Sequence, residues 1–195
     1  GEAYGNDGVQ LKWVAPTELF LELGFEAGRG ANFPGTDRNE NSAGSTVLCG
    51  HLGGDVGDAH SWRAGLSYLQ AKARDRDGDL EDMGGADAET LFTGTSKTWM
   101  ADFVWKWAPS GNAAERNFKF AAEYFRRSER GSLLCADNSA DGGACTGIED
   151  AYRSRQSGFY AQGVYQFMPR WRTGYRYDRL DPGTVDFGAN SANLP

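Results

Sequence analysis

The chain has no run of about 18 or more apolar residues, the length a helix needs to cross a bilayer, so helical membrane spans are excluded. Strands are not excluded, because a membrane β-strand needs only roughly 9–11 residues and keeps every second one polar. Histidine is scarce, two residues in 195, and no His/Cys spacing of the kind that holds a metal such as zinc occurs. Cations are outnumbered: the net charge of -7 argues against nucleic acid as a partner, because phosphate binding needs clustered Lys and Arg on an exposed face. Three cysteines are too few for a disulfide scaffold. Cys135 and Cys145 bracket a polar, Gly-rich stretch and would be bonded in an oxidising compartment, which leaves Cys49 without a role. The opening Gly-Glu-Ala-Tyr-Gly-Asn-Asp has neither the basic nor the apolar region of a signal peptide.

What the chain does have is tryptophan at period two. In the stretch from Lys97 to Ala108, Trp99, Ala101, Phe103, Trp105 and Trp107 alternate with Thr98, Met100, Asp102 and Lys106. Successive side chains of a strand point to opposite faces, so one face is apolar and the other charged. The pattern recurs, as with Leu19, Leu21, Leu23 and Phe25 against Glu18, Glu22 and Glu26, and with Trp171, Tyr175 and Tyr177 against Arg172, Arg176 and Asp178. It predicts about eight strands near 9–16, 18–29, 50–57, 61–75, 97–109, 116–129, 155–168 and 170–181. Short joins fall at Pro16-Thr17, Asp58-Ala59, 110–115 and Pro169, and long loops rich in Gly, Asp, Asn and Ser near 30–49, 76–96 and 130–154. Alternating short turns and long loops predict an all-β fold, an antiparallel transmembrane β-barrel formed by residues 1–195 as one domain or as part of a larger barrel. Trp13, Trp62, Trp105, Trp107 and Trp171 lie near short turns and would form one membrane girdle, with Trp99, Tyr124, Phe159 and Tyr177 toward the opposite one.

The face opposite the aromatics carries the candidate pore-lining residues: Lys12, Glu22, Glu26, Arg63, Asp102, Lys106, Lys119, Glu123, Arg127, Arg172, Arg176 and Asp178. Such charges either form a selectivity field in an open pore or close a salt-bridge network inside a narrow one. The acidic residues lie mostly in the early strands and the basic ones in the late strands, a pattern for a transverse field. Arg127, Arg172 and Arg176 suggest an arginine track, interrupted by Glu123 and Asp178. The segment Asp75-Arg-Asp-Gly-Asp-Leu-Glu-Asp82 has carboxylates two apart but not the glycine position of an EF-hand loop, and reads as a solvated acidic external loop able to meet lipopolysaccharide through divalent ions. An outer-membrane hydrolase needs a base beside a nucleophile. His60 falls at a predicted turn and His51 has only Ser45 and Asp55 near it in sequence, so no enzyme is expected. A soluble secreted β-sandwich with Trp-lined grooves is a further reading.

Three segments bear a resemblance: Leu11-Lys-Trp-Val-Ala-Pro-Thr17, Ser61-Trp-Arg-Ala-Gly-Leu-Ser-Tyr68, and Tyr165-Gln-Phe-Met-Pro-Arg-Trp-Arg-Thr-Gly-Tyr-Arg-Tyr-Asp-Arg-Leu180. They resemble proteobacterial outer-membrane porin-like barrels related to the phosphate-selective porins, some of which are labelled zinc-regulated TonB-dependent outer-membrane receptors. The resemblance implies passive or receptor-linked passage of small or ionic solutes, bacterial outer-membrane localisation, contact with outer-membrane lipid and lipopolysaccharide, a possible homo-oligomer, no cofactor and a longer chain. The end, Ala-Asn-Ser-Ala-Asn-Leu-Pro195, lacks the terminal aromatic that such barrels use as an assembly signal, which points to a piece of a longer protein. A small structural or adhesive barrel without conductance is the alternative within the same class.

Overall fold

The computed structural model describes residues 7–29, 44–81, 85, 87–137, 145–192 and 194. Their fold is all-β, a single antiparallel sheet in strand order β1 to β8, each strand paired with the next in the chain. The strands are β1 (Gly8–Val14), β2 (Phe20–Gly28), β3 (Ser45–Val56), β4 (His60–Glu81), β5 (Asp87–Trp107), β6 (Asn117–Asp137), β7 (Glu149–Met168) and β8 (Trp171–Asp186). No helix among the described residues is long and apolar enough to cross a membrane. The expected barrel is not closed: β1 and β8 are edges that do not pair with each other.

Turn chemistry sets one end of the sheet. Gly57 takes φ +62° between β3 and β4, a left-handed conformation that costs an L side chain energy. Between β7 and β8, Pro169 presets the first turn residue and Arg170 accepts φ +69° at the second. The β1–β2 turn is held by Thr17, whose hydroxyl donates to the Leu19 carbonyl at 2.6 Å.

The other end departs from the expected loops. Of 76–96, residues 76–81 belong to β4 and 87–96 to β5; of 130–154, residues 130–137 belong to β6 and 149–154 to β7. The same holds for 30–49, where 45–49 open β3 and 30–43 lie outside the described residues. These Gly- and Asp-rich stretches are strands because long neighbours pair with them residue by residue, and ladder pairing overrides weak local propensity. The acidic segment 75–81 is therefore strand, with Asp79 opposite Glu89 and Glu81 opposite Asp87; Asp82 lies outside the described residues. No metal-holding group of three or more His, Cys, Asp or Glu occurs among the described residues.

The buried core sits at this loop end. Phe92, Leu133, Cys135 and Ala73 pack with Ala88, Cys145, Phe187 and Leu194. The segment after β8 folds back to close this core: Leu194 is 1% exposed, and the Ala189 N–H donates to Asp150 at 2.6 Å. Asn190 is fully buried and donates its side-chain amide to the Ile148 carbonyl at 3.0 Å. Cys135 and Cys145 are joined by a disulfide within the core, Cα atoms 5.7 Å apart. Replacing both with alanine is expected to cost about 2–3 kcal/mol, as for a short closed loop, read as a lower denaturant midpoint than that of the parent protein under oxidising conditions.

Candidate functional site

The pairing registers align side chains into rows that cross the whole sheet. One row runs Val14, Glu22, His51, Gly65, Asp102, Glu123, Tyr160, Asp178, one residue from each strand. Every candidate lining residue falls on this face: Lys12 and Glu26 lie in rows toward the loop end, with Arg127 beside them, and Arg63, Arg176, Lys106, Lys119 and Arg172 in rows toward the turns. The charge is banded by height, with four carboxylates at mid-sheet and cations on the turn side. A transverse division between early and late strands is not what the register produces.

Gly65 occupies the centre of the acidic row and is the reason its neighbours meet. A Cβ there would lie 1.9 Å from Asp102 Oδ2 and 2.7 Å from His51 Cδ2, so the two side chains reach toward each other over the bare backbone. His51 Nδ1 stands 3.2 Å from Glu22 Oε1, and Nε2 stands 3.8 Å from Asp102 Oδ2. Arg63 Nη2 approaches Asp102 Oδ1 at 3.5 Å from the next row. An imidazole between two carboxylates was not legible locally, because it needs the register of β2 through β5 together. The strand predicted near 50–57 puts His51 at its start, one end of the wall. Since β3 begins at Ser45 rather than near 50, His51 stands mid-strand, while His60 lies at the turn end. Ser45 and Asp55, its neighbours in sequence, are six and four residues along the strand, roughly 20 and 13 Å away at 3.3 Å per residue.

Two further arginines on this face are also held. Arg176 grips Asp178 at 2.7 Å and lies over the Tyr160 ring, 4.1 Å from its centroid. Arg172 donates to Gln166 at 3.0 Å. Gln10 and Glu26 hydrogen-bond across β1 and β2. Arg127 stands four rows of the face away from Gly174, in another neighbourhood, so the three arginines do not form one track. Cys49 is a free, half-buried thiol whose sulfur lies over Gly24 on the same face.

Nearer the loop end a bulge in β4 between Ala73 and Arg76 changes which side chains face inward. Asp75 takes φ +47°, and its backbone N–H donates to Thr93 Oγ1 at 3.0 Å. Past the extra residue, Arg76 shares a face with Glu129. The guanidinium makes a two-pronged pair, Nη1 to Oε1 at 2.7 Å and Nη2 to Oε2 at 3.0 Å, and Arg127 adds a third contact to Oε1. Sequence reading gave neither Arg76 nor Glu129 a role, since period two predicts the wrong face for Arg76 once a residue is inserted.

The opposite face is apolar and open. Trp13, Trp62, Trp99, Trp105, Trp107 and Trp171 all lie on it by register. Val9, Leu11, Leu23, Phe25, Leu48 and Leu66 are each more than two-fifths exposed, and Tyr175 is 75% exposed.

No protein-family model matches the chain, and no solved structure matches it. An uncharacterized protein of Aquifex aeolicus (strain VF5) is similar, 28% identical over 207 residues that cover 100% of this chain and 40% of that protein. The chain thus spans 40% of the length of that relative.

Proposed function

We propose that this chain is part of the wall of a bacterial outer-membrane β-barrel, a porin-like channel whose charged face lines a watery path for small or ionic solutes. The observation that supports this reading best is the division of two faces over eight paired strands on the turn side of the β4 bulge, with every tryptophan and most of the exposed large apolar side chains on one of them. Soluble monomers rarely leave a contiguous apolar patch above a few hundred Å² facing water. A bilayer is the solvent in which that face is stable, and the sheet alternates as membrane barrels do. The edges β1 and β8 bear on the same reading: open sheet edges do not persist in hydrocarbon, so the proposal requires partner strands on both, from a longer chain or a second copy. The resemblance to porin-like barrels agrees with it.

The test is heat-modifiable gel mobility and planar-bilayer conductance, on this chain and on a longer native version refolded into detergent. The expected result is a faster-migrating folded band and ion-selective steps from the longer version. Asp102→Asn should reduce the preference for cations without removing the mobility shift, because its carboxylate belongs to the mid-height acidic row. A folded band without conductance would favour a structural barrel; a chain soluble without detergent would favour a secreted β-sandwich binding module.

A further inference from the structure

We infer that the apolar face carries a built binding belt for phosphorylated lipid headgroups, placed just past the aromatic residues at the loop end. The inference rests on the membrane reading above and names a partner for that wall.

Three successive rows on this face contain the belt. The first runs Tyr68, Trp99, Arg126, Ser157; the second Gln70, Lys97, Ser128, Arg155; the third Lys72, Thr95, Arg130, Arg153. Six cations thus occupy three adjacent rows of a chain whose net charge is -7. All six are exposed, and none pairs with a carboxylate among the described residues. On the opposite face four of the arginines, Arg63, Arg76, Arg127 and Arg176, each have an acidic partner.

Arg130 stands directly opposite Arg153 across β6 and β7. Like charges in that position repel and destabilise a sheet; Asp186 stands opposite Arg153 on its other side without forming an ion pair with it, so an anion between the two arginines relieves the repulsion. The side chains of Lys97, Arg126, Arg130 and Arg155 border a groove of about 700 Å³, with Trp99 on its wall. Its depth identifies the occupant. Trp99 shares the first row with Arg126, and Tyr124, Phe159 and Tyr177 are exposed on the same face one to two rows nearer the turns, where ring N–H and O–H groups meet the headgroup boundary. Rows on one face are roughly 6.6 Å apart, so the six cations lie at headgroup level and beyond, with Arg179 one row nearer the turns on the edge strand β8. Guanidinium forks match phosphate oxygens two at a time. The acidic residues Asp77, Asp79 and Glu89 appear on this face farther out, beyond the belt, while Asp181 and Asp186 border it on the edge strand β8, opposite Ser157 and Arg153. A lipid phosphate, with its acyl chains lying down the aromatic wall, satisfies both the charge and the surface below it.

The experiment is native mass spectrometry of the full chain refolded in non-ionic detergent, titrated with a lipid A carrying two phosphates and, separately, with its dephosphorylated form. The expected result is retention of the phosphorylated lipid at least tenfold above the dephosphorylated one, weakening as salt rises. Triple substitution Arg126→Gln, Arg130→Gln, Arg155→Gln should remove that preference, and Arg155→Gln alone should lower it severalfold. Lys12→Gln with Lys106→Gln, on the opposite face, should leave it unchanged. Equal retention by parent and belt variants, with the heat-modifiable band intact, overturns the belt and leaves the membrane reading standing. Displacement of the lipid by inorganic phosphate at equal phosphate concentration overturns the lipid as occupant. A chain that stays soluble without detergent and retains no amphiphile overturns both.

Discussion

Glu129→Gln is expected to be among the most damaging single changes in the chain, costing about 3–5 kcal/mol, the usual consequence of removing one partner from a buried ion cluster. Glu129 is 5% exposed and holds two guanidinium groups, each itself largely covered. Glutamine keeps the shape but removes the charge, leaving Arg76 and Arg127 facing each other at the loop end. The bulge at Asp75 exists in a form that points Arg76 at this carboxylate, so the fold there has been built around the pair. Burial alone pushes the Glu129 carboxyl up, but the hydrogen bonds and charges of Arg76 and Arg127 outweigh it and the net shift is downward. A carboxylate whose folded pKa is depressed contributes stability that is present above its unfolded value and is lost as pH falls through the folded one. The parent protein should therefore lose stability on acidification from the ordinary glutamate range, about 4.3, downward. Glu129→Gln should be flatter over that window, and its deficit against the parent should be largest at neutral pH. Denaturant titrations at a series of pH values measure this; a deficit that does not shrink on acidification would place the cost in packing rather than in charge.

That cluster also marks where sequence reading stops. Which side chains share a face is local information, since period two is a property of any strand; Trp105 and Lys106 could be assigned to opposite faces from their spacing alone. The turns at Pro16-Thr17, Asp58-Ala59 and Pro169 were legible for the same reason, because the residues that permit a tight reversal are few. Strand length was not. The Gly- and Asp-rich stretches 76–81, 87–96 and 130–137 look like loops taken singly, and become strands only because their neighbours run equally far. Face assignment fails at Arg76 because one bulge residue inverts it. The His51 neighbourhood lies deeper still, as it depends on the pairing of four strands and on a glycine whose missing side chain makes room. The belt of Lys97, Arg126, Arg130 and Arg155 was hidden by composition, since a net acidic chain gave no reason to look for segregated cations.

Phe103→Arg separates a membrane wall from a soluble sheet more sharply than any change on the charged face. Phe103 lies midway between Trp99 and Trp107 on β5, opposite Ala64 and Ala122, and its ring packs 6.4 Å from that of Phe120. It is 39% exposed. In water, an arginine at so open a position costs little, because its long stem lies along the sheet and its head stays solvated. In a bilayer the same position is near the hydrocarbon midplane, where arginine costs about 2–4 kcal/mol, falling to about 0–1 near the interfaces. Folding into lipid vesicles, followed by tryptophan fluorescence against denaturant, should therefore show a depth gradient, with Phe103→Arg costly and Trp107→Arg, two rows nearer the turns, milder. Lys106→Ala, one residue away on the other face, should be mild. Depth is the discriminating variable, because ring packing changes irregularly from site to site while a hydrocarbon slab penalises charge in proportion to distance from its edge. If Phe103→Arg and Trp107→Arg cost the same, and both stay below about 1 kcal/mol, the apolar face is not immersed in lipid, and the tryptophans on it serve a covering partner instead.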